Sequence, residues 1–235
     1  MQIDVALSPA EIALLPARSL KETTCVVFDV LRATSSMITA LSCGARGIFP
    51  VRTVKEAQTL KQEMADAIMG GERHGDLIGG FDVGNNPLDY RRFEGKRIIT
   101  TTTNGTIGLR NCEHAPRVLV GALLNMESLR ETIVRLQPKN LLIVCAGTFE
   151  TFALEDAYAA GLLVSMLPGA QCTDAAVTVA ALSRQFSTPL EALLAARNGR
   201  ALADRGWKDQ VEYCASLSTL SAVGAMTNGV VRLLS

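Results

Sequence analysis

The chain has 235 residues, of which 48% are hydrophobic and 20% charged, and its 23 lysines and arginines balance 23 aspartates and glutamates. These proportions are typical of a soluble globular protein with a sizeable core, in one large domain or two small ones. The balanced charge and an aromatic content of 5% argue against nucleic acid and an anionic membrane surface as partners.

The first eight residues alternate between polar and apolar types, which is not the pattern of a secretory signal peptide. No apolar run approaches the roughly 20 residues that span a bilayer. Six cysteines are present without a Cys-x-x-Cys pair, a pattern that favours reduced, buried thiols over a disulfide framework or a zinc site. Together these features predict a cytoplasmic protein.

Apolar strands and amphipathic helices alternate along the first 150 residues. The patterns predict strands at 25–30, 47–51, 67–71, 97–101, 117–121 and 140–147, with helices at 34–45, 53–67 and 125–137. Thr53 and Glu56 have the spacing of a capping box at the start of the second helix. Such alternation indicates a three-layer α/β/α fold with a largely parallel or mixed sheet.

The remainder is mostly helical, with helices predicted at 155–167, 174–186, 189–206 and 208–217 and a terminal hairpin around Asn228-Gly229. The Gly- and Asn-rich stretch 70–95 is predicted to be a long irregular segment, either functional or disordered. We expect residues 1–235 to form one domain, with two lobes at about 1–150 and 151–235 as an alternative. The alanine-rich helices after residue 155 would pack against each other or against a second subunit of a homo-oligomer.

Ligands of open α/β sheets bind at the carboxyl ends of the strands, so polar residues at those ends are the candidates for a site. Asp29 ends the first interior strand and is followed by Arg32 and Thr34. A carboxylate there suits Mg²⁺ binding or nucleophilic attack, and an arginine suits phosphate or carboxylate oxygens. The alternative is a structural ion pair between Asp29 and Arg32, with Thr34 as a helix cap.

Segment 70–95 contributes further candidates. Glu72 and Asp82 carry the hard oxygen donors that Mg²⁺ accepts, although no calcium-loop spacing is present. Asp29, Glu72 and Asp82 are therefore the candidate metal ligands, and Arg73 and Asn85 are candidates for substrate binding. For Asn85, which begins Asn-Asn-Pro, a turn is the alternative.

The stretch "IITTTTNGTIGL", residues 98–109, concentrates donors where a strand gives way to a helix. Thr103, Asn104, Gly105 and Thr106 are predicted to form a nest of N–H and hydroxyl groups for an anion. Capping alone needs one such residue rather than five polar residues in six positions. The lysine of a P-loop is missing, which argues against a nucleotide-dependent kinase or ligase.

Glu155 and Asp156 follow the last predicted strand. A metal-ligand or general acid–base role competes there with a favourable position at a helix N-terminus. Cys145 is more typical of a small buried residue than of a nucleophile, and His74 of a surface loop. The candidates place carboxylates, an arginine and a nest at four strand ends, as metal-assisted phosphoryl transfer requires.

The segments "LRATS", "GGER", "GNNP" and "TTTNG" resemble, in order and spacing, the 2-phosphosulfolactate phosphatase (ComB-like) family over roughly residues 1–215. This resemblance implies a three-layer α/β protein that uses Mg²⁺ to hydrolyse 2-phospho-3-sulfolactate to sulfolactate and phosphate, a step toward coenzyme M. That substrate carries phosphate, sulfonate and carboxylate groups, which agrees with several anion donors in one site.

We therefore expect a phosphoric monoester hydrolase acting on this ester or a related small phosphorylated acid. Gln210 stands where the family is expected to have an acidic residue, and Ser218 is a second departure, so the alternative is a non-catalytic small-anion-binding or regulatory protein. The catalytic candidates are Asp29, Glu72, Glu155 and Asp156, and the substrate-binding candidates are Arg32, Thr34, Arg73, Asn85, Thr103, Asn104, Gly105 and Thr106.

Overall fold

A computed structural model of the chain describes residues 1–234. The strands are β1 (Gln2–Ala6), β2 (Thr23–Phe28), β3 (Gly47–Pro50), β4 (Ile68–Arg73), β5 (Asp76–Leu77), β6 (Arg97–Thr101), β7 (Arg117–Gly121), β8 (Asn140–Cys145), β9 (Gln171–Cys172), β10 (Gly224–Thr227) and β11 (Val230–Leu233). The α-helices are α1 (Pro9–Ala13), α2 (Ala33–Ser42), α3 (Val54–Glu63), α4 (Gly105–Asn111), α5 (Met126–Leu136), α6 (Leu154–Ser165), α7 (Asp174–Ser183), α8 (Pro189–Ala195), α9 (Arg197–Asp204) and α10 (Lys208–Cys214).

These strands join one mixed sheet in the order β5-β4-β6-β3-β11-β10-β7-β2-β8-β1-β9. One parallel group is β4-β6-β3 and the other is β7-β2-β8-β1-β9. The hairpin β10-β11 lies between them and is antiparallel to its neighbour on each side. The predicted mixed sheet and terminal hairpin are confirmed, and the pairings make the two parallel groups run in opposite directions.

Strand β2 separates two hydrophobic cores. Val26 and Phe28 pack in a core with helices α5 and α6, whereas Cys25 and Val27 pack in a core with α2 and α4. Because successive side chains of a strand point to opposite faces, both faces of β2 are covered, which explains its unbroken apolar sequence. Helices on both faces of an extended sheet confirm the predicted α/β fold class.

Helix α2 is buried on all sides, since its residues from Ala33 to Leu41 are buried. The buried hydroxyl groups of this helix are satisfied by carbonyl oxygens: Ser35 donates to Val30, Ser36 to Asn85 and Thr39 to Ser35. Helix α2 follows β2 closely in the chain. Because β2 lies in the interior of the sheet, it fixes the position of the first turn of this helix. The exposed helix α3 contrasts with it and begins at Thr53, whose side chain accepts from the Glu56 N–H as the predicted cap.

Three segments differ from the sequence prediction. Residues 2–6, where no strand is predicted, form β1 between β8 and β9. Segment 70–95 contains the end of β4, the short β5 and a 3₁₀ helix, Pro87–Arg92. The predicted helix 189–206 is two helices, because Ala196 is extended and Gly199 approaches the Leu193 carbonyl so closely that a Cβ would lie 1.7 Å from its oxygen.

None of the helices formed by residues 1–234 combines the length and the apolar character needed to cross a bilayer.

Candidate active site

A cleft of about 310 Å³ opens where the ends of β2, β4, β6 and β8 face helix α9. One wall of the cleft is formed by the strand ends. It contains six of the site residues predicted from the sequence: Asp29, Arg32, Glu72, Asn85, Thr103 and Asn104. The remaining walls come from the turn after β4, the loop after β8 and α9, through Leu31, His74, Gly75, Gly147, Thr148, Phe149, Arg197, Asn198, Ala201, Leu202 and Arg205.

The strands that meet at this cleft belong to the two oppositely directed groups. Glu72 and Thr103 end strands of one group, whereas Asp29 follows β2 of the other. A flat sheet would place these ends at opposite edges. Neighbouring strands rotate by roughly 20–25°, so the five steps from β6 to β2 accumulate about 100° of twist. Ends of the two opposite groups line the same cleft.

Asp29 is held at the N-termini of two helices. Its Oδ1 accepts from the Ala33 N–H at the start of α2, at 3.2 Å, and the Gly105 N–H at the start of α4 also favours the ionised carboxylate. Glycine is required at position 105, because a Cβ there would lie 2.5 Å from Asp29 Oδ2. Thr34 fixes the loop by accepting from the Asp29 N–H and donating to the Asp29 carbonyl.

The pKa of Asp29 is raised from 3.8 to about 7, chiefly by burial and further by the charges of Glu72 and Glu155. The two helix N-termini act in the opposite direction, since their N–H groups favour the charged form. A buried carboxylate with a pKa near neutrality is suited to take up a proton or to bind a cation. Its position in the cleft makes Asp29 a candidate for a functional role.

The Glu72 carboxylate accepts hydrogen bonds from donors that, from the sequence, are expected to bind an external anion. The Thr103 N–H donates to Glu72 Oε1 at 2.7 Å, and the Thr103 hydroxyl and the Gly75 N–H donate to Oε2 at 3.1 and 2.7 Å. The nest around Thr103 therefore holds a carboxylate of the protein itself. Only 8% of Glu72 is exposed, which keeps this carboxylate fixed at the floor of the cleft.

Asn104 and Thr106, the other predicted donors of the nest, bond to neighbouring loops. The Asn104 amide donates to the carbonyls of Ala146 and Phe149 and accepts from the Phe149 N–H. The Thr106 side chain exchanges hydrogen bonds with Thr102 and does not line the cleft. These contacts fix the shape of the cleft by joining the β6–α4 turn to the loop after β8.

Arg32 is buried, with 6% exposed, and its guanidinium has neutral hydrogen-bond partners. One Nη donates to Gln210 Oε1 and the other to the Gly75 carbonyl at 3.1 Å. The ring of Trp207 lies 5.2 Å from the guanidinium carbon. The alternative of an Asp29–Arg32 ion pair is wrong, because the salt bridges formed by residues 1–234 do not include Arg32.

Glu155 and Asp156 are buried behind the cleft rather than in its wall. Asp156 accepts from the Val30 N–H at 2.8 Å and the Gly147 N–H at 3.0 Å, which joins the loops after β2 and β8. Glu155 accepts from the Asn198 amide. Burial raises the pKa of both carboxyl groups, and the charge of Glu155 adds to the effect on Asp156. The helix N-terminus described in the sequence analysis therefore carries carboxylates that organise the site.

Two other predicted residues are not brought to the cleft. Asp82 is exposed, and its carboxylate accepts from the Met69 N–H at 2.8 Å. Arg73 donates to the Glu72 carbonyl and to Thr101 Oγ1, so it joins β4 to β6.

Cys145 is fully buried and does not line the cleft. Burial raises the pKa of its thiol. Both observations agree with a packing role.

Helix α9 contributes cleft residues that the sequence analysis missed: Arg197, Asn198 and Arg205. Arg197 and Asn198 belong to the segment "AARNGR", which lies inside a run of alanines and leucines that predicts one continuous helix. The signal that was available is Arg-Asn-Gly, since a glycine in such a run is a helix breaker. His74, expected on a surface loop, is exposed but lines the cleft and stacks on Phe149 with ring centroids 5.5 Å apart.

Asp29 and Glu72 are the cleft residues that could hold a metal ion. Among residues 1–234, no three His, Cys, Asp or Glu side chains converge closely enough to hold a metal ion alone. Asp29 and Glu72 nevertheless supply two carboxylates that repel each other in one buried site. Mg²⁺ is usually held by one or two carboxylates together with waters and substrate phosphate oxygens, which matches a two-carboxylate floor.

Comparison with known proteins decides between the chemistries that such a site allows. The sequence profile of the 2-phosphosulpholactate phosphatase family matches residues 11–229. The chain belongs to the 2-phosphosulfolactate phosphatase family. This membership confirms the resemblance found in the sequence and the predicted class of enzyme, a phosphoric monoester hydrolase.

Similar full-length relatives occur in several bacteria, each named "Probable 2-phosphosulfolactate phosphatase". The protein of Carboxydothermus hydrogenoformans is 36% identical over 226 residues, which cover 95% of this chain and 92% of the relative. That of Clostridium acetobutylicum is 35% identical over 238 residues, covering 98% and 100%. That of Thermotoga maritima is 34% identical over 226 residues, covering 94% and 96%.

Proposed function

We propose that the chain is a Mg²⁺-dependent phosphatase that hydrolyses 2-phospho-3-sulfolactate, or a closely related small phosphorylated acid, to the hydroxy acid and phosphate. The observation that carries the proposal is the convergence of Asp29, Glu72 and Arg32 in one cleft of a chain belonging to this family. The names of the relatives supply the substrate. Its small size and several negative charges suit a narrow cleft with cationic side chains.

Asp29 and Glu72 are the residues that would hold Mg²⁺. When bound, the ion would neutralise charge on the phosphoryl oxygens and position the group for in-line attack. Backbone N–H groups hold both carboxylates in position, which supports this assignment. A third side-chain ligand is not required for such a site, because waters and the substrate complete the coordination of Mg²⁺.

Asp29 has one of two roles in the chemical step. As a nucleophile it attacks phosphorus, the ester oxygen leaves, and water then hydrolyses the aspartyl phosphate. As a general base it takes a proton from a water molecule that attacks phosphorus directly. A pKa of about 7 suits the second role, whereas ionisation by a nearby cation would suit either. Arg32 would stabilise the equatorial oxygens during the transfer.

The test is phosphate release from 2-phospho-3-sulfolactate by the purified protein, with Mg²⁺ and after chelation with EDTA. We expect turnover with Mg²⁺, loss of turnover after chelation, and recovery when Mg²⁺ is restored. Glu63→Gln, which changes an exposed carboxylate on α3 outside the cleft, is the matched control and should behave as the wild type. Turnover that survives complete chelation would contradict the metal dependence.

The same experiment separates the alternative function. Gln210 gives Arg32 a neutral partner, and Ser218, the other departure, lies outside the cleft with its hydroxyl accepting from the Glu127 N–H. A non-catalytic anion-binding protein would bind 2-phospho-3-sulfolactate in calorimetry and release no phosphate from it or from a panel of small phosphoesters. That result would replace the phosphatase proposal.

Borohydride trapping separates the two roles of Asp29. Acid quenching during turnover followed by reduction converts an aspartyl phosphate to homoserine, which mass analysis of the peptide detects. Homoserine at position 29 would establish the nucleophilic route. Unmodified Asp29 under conditions that trap a known aspartyl phosphate would leave the general-base route.

A further inference from the structure

One face of α9 forms the wall of the cleft opposite the carboxylates. Arg197 and Ala201 of α9 and Arg205, the residue that caps its C-terminus, are spaced four residues apart and all line the cleft, as expected for one face of a helix. At a rise of 1.5 Å per residue the two arginines are about 12 Å apart along the axis. The small side chain of Ala201 lies between the two arginines and leaves space in the cleft. This wall therefore presents one guanidinium group on each side of that space.

The two guanidinium groups differ in their charge partners. Arg205 forms a salt bridge with Asp76 at 2.9 Å and lies 5.4 Å from the ring of Trp207. The salt bridges within residues 1–234 do not include Arg197. Arg205 therefore has a carboxylate in direct contact, whereas the charge of Arg197 acts at longer range on the buried Glu155, where it opposes the rise in the pKa of that carboxyl. The guanidinium of Arg197 is open to contact with an anionic ligand.

The guanidinium of Arg197 is nevertheless held in place. One Nη donates to the Thr148 carbonyl at 3.1 Å and to Thr151 Oγ1 at 3.2 Å, and the guanidinium carbon lies 5.6 Å from the centre of the Phe149 ring. These contacts use one nitrogen of a group that has five N–H donors. An oriented arginine with donors left over loses little conformational entropy when it binds an oxyanion.

Arg32 is not equivalent to Arg197. It is buried on the side of the cleft that carries the carboxylates, and both of its Nη atoms already donate to protein oxygens. A phosphoryl group beside Asp29 and Glu72 would meet Arg32, and the rest of the ester would extend toward α9. A second acidic group on the substrate would then reach Arg197.

We propose that Arg197 determines substrate specificity by binding the sulfonate of an ester whose phosphoryl group lies at Asp29, Glu72 and Arg32. This inference rests on the proposed function. Of the two acidic groups besides phosphate, the sulfonate lies at the end of the longer arm of the molecule. It is also a large, weakly hydrated anion, which suits a guanidinium better than an ammonium group.

The experiment compares Arg197→Gln with the wild type on three esters. These are 2-phospho-3-sulfolactate, 2-phospholactate, which lacks the sulfonate, and phosphoisethionate, which keeps the sulfonate and lacks the carboxylate. We expect kcat/KM to fall about 10- to 100-fold for both sulfonates, mainly through KM, and to change less than threefold for 2-phospholactate. Arg197→Lys should restore part of the loss.

Arg200→Gln is the matched control, because Arg200 is exposed on the same helix and does not line the cleft. It should leave all three values within twofold of the wild type. Equal losses on all three esters for Arg197→Gln would show a structural or general electrostatic role and would overturn the proposal. A loss confined to the two carboxylate-containing esters would assign Arg197 to the carboxylate and would also overturn it.

Calorimetric binding of 3-sulfolactate and of lactate keeps the test independent of turnover. The wild type should bind 3-sulfolactate more tightly than lactate, and Arg197→Gln should remove most of this preference. If the wild type hydrolyses none of the esters but shows the preference, the phosphatase proposal fails and the sulfonate site stands. If hydrolysis is present and Arg197→Gln leaves the preference unchanged, the sulfonate site fails alone.

Discussion

The two walls of the cleft are built in different ways. On the strand side, Asp29 and Glu72 are buried and each is fixed by backbone N–H groups. On the α9 side, Arg197 and Arg205 are exposed and held by a few side-chain and carbonyl contacts. A fixed, poorly solvated wall suits the chemical step. The arginines of the other wall are exposed, so substitutions that adapt this wall to a different substrate reduce the stability of the protein little.

Asp29→Asn should have the largest effect and tests the strand wall directly. The change keeps the size of the side chain but removes the charge that binds Mg²⁺ and the basicity that either chemical role needs. We expect kcat to fall about 10³-fold on 2-phospho-3-sulfolactate, measured by phosphate release at saturating Mg²⁺. A variant that retains a tenth of the activity would exclude Asp29 from both roles.

The same variant should be more stable than the wild type when Mg²⁺ is removed with EDTA. The pKa of Asp29 is about 7 in the folded protein and about 4 in an unfolded chain, so the folded state binds the extra proton between these values. The contribution of Asp29 to wild-type stability therefore falls as pH rises from about 4 to 7. Asp29→Asn should gain about 1–3 kcal/mol above pH 7 and almost nothing near pH 4.

Urea unfolding at pH 4.5 and pH 8 measures this difference. The raised pKa of Asp29 arises from burial and from the charges of Glu72 and Glu155. Glu63→Gln is the control, because it changes an exposed carboxylate, and it should show no pH-dependent gain in stability. A destabilised Asp29→Asn at pH 8 would mean that the hydrogen bond from the Ala33 N–H outweighs the burial of the charge.

Asp156→Ala should weaken the frame behind the strand wall. The change leaves the buried N–H groups of Val30 and Gly147 without their carboxylate acceptor, at about 1–3 kcal/mol each. Loss of a buried carboxyl with a raised pKa offsets part of this. We expect a net loss of about 2–4 kcal/mol in urea unfolding, whereas Asp174→Ala, at the exposed start of α7, should lose less than about 1 kcal/mol. A smaller loss at Asp156 would show that the two loops hold their positions without it.

The sequence predicts the strand wall better than the helical wall for a physical reason. A buried strand leaves a short apolar run, and the residue after it is found by position alone, as Asp29 shows. Arg197 lies in an alanine-rich stretch where the exact helix boundary decides which residues face the cleft. That boundary depends on the close contact of Gly199 with the Leu193 carbonyl, a tertiary contact that no local pattern predicts.

Pairing between residues that are distant in the chain is the second feature that the sequence alone does not predict. From the sequence, Glu72 and the donors around Thr103 are expected to face a ligand as separate groups, but they bond to each other. The strand ends are also expected to share one edge, whereas the hairpin β10-β11 inserts between two parallel groups of opposite direction. Residue types at strand ends can be found locally, while their partners require the complete topology.

Gln210→Glu should have the smallest effect and tests how the two walls share positive charge. A carboxylate at position 210 would keep the hydrogen bond from Arg32 and neutralise its guanidinium, which now has neutral partners. The polyanionic substrate would then lose attraction to the floor of the cleft while Arg197 is unchanged. Since Arg32 is also expected to stabilise the transition state, we expect kcat/KM to fall about 10-fold, equivalent to about 1.4 kcal/mol. An increase in kcat/KM instead would contradict this expectation and would mean that the active site works better with an acidic residue at position 210.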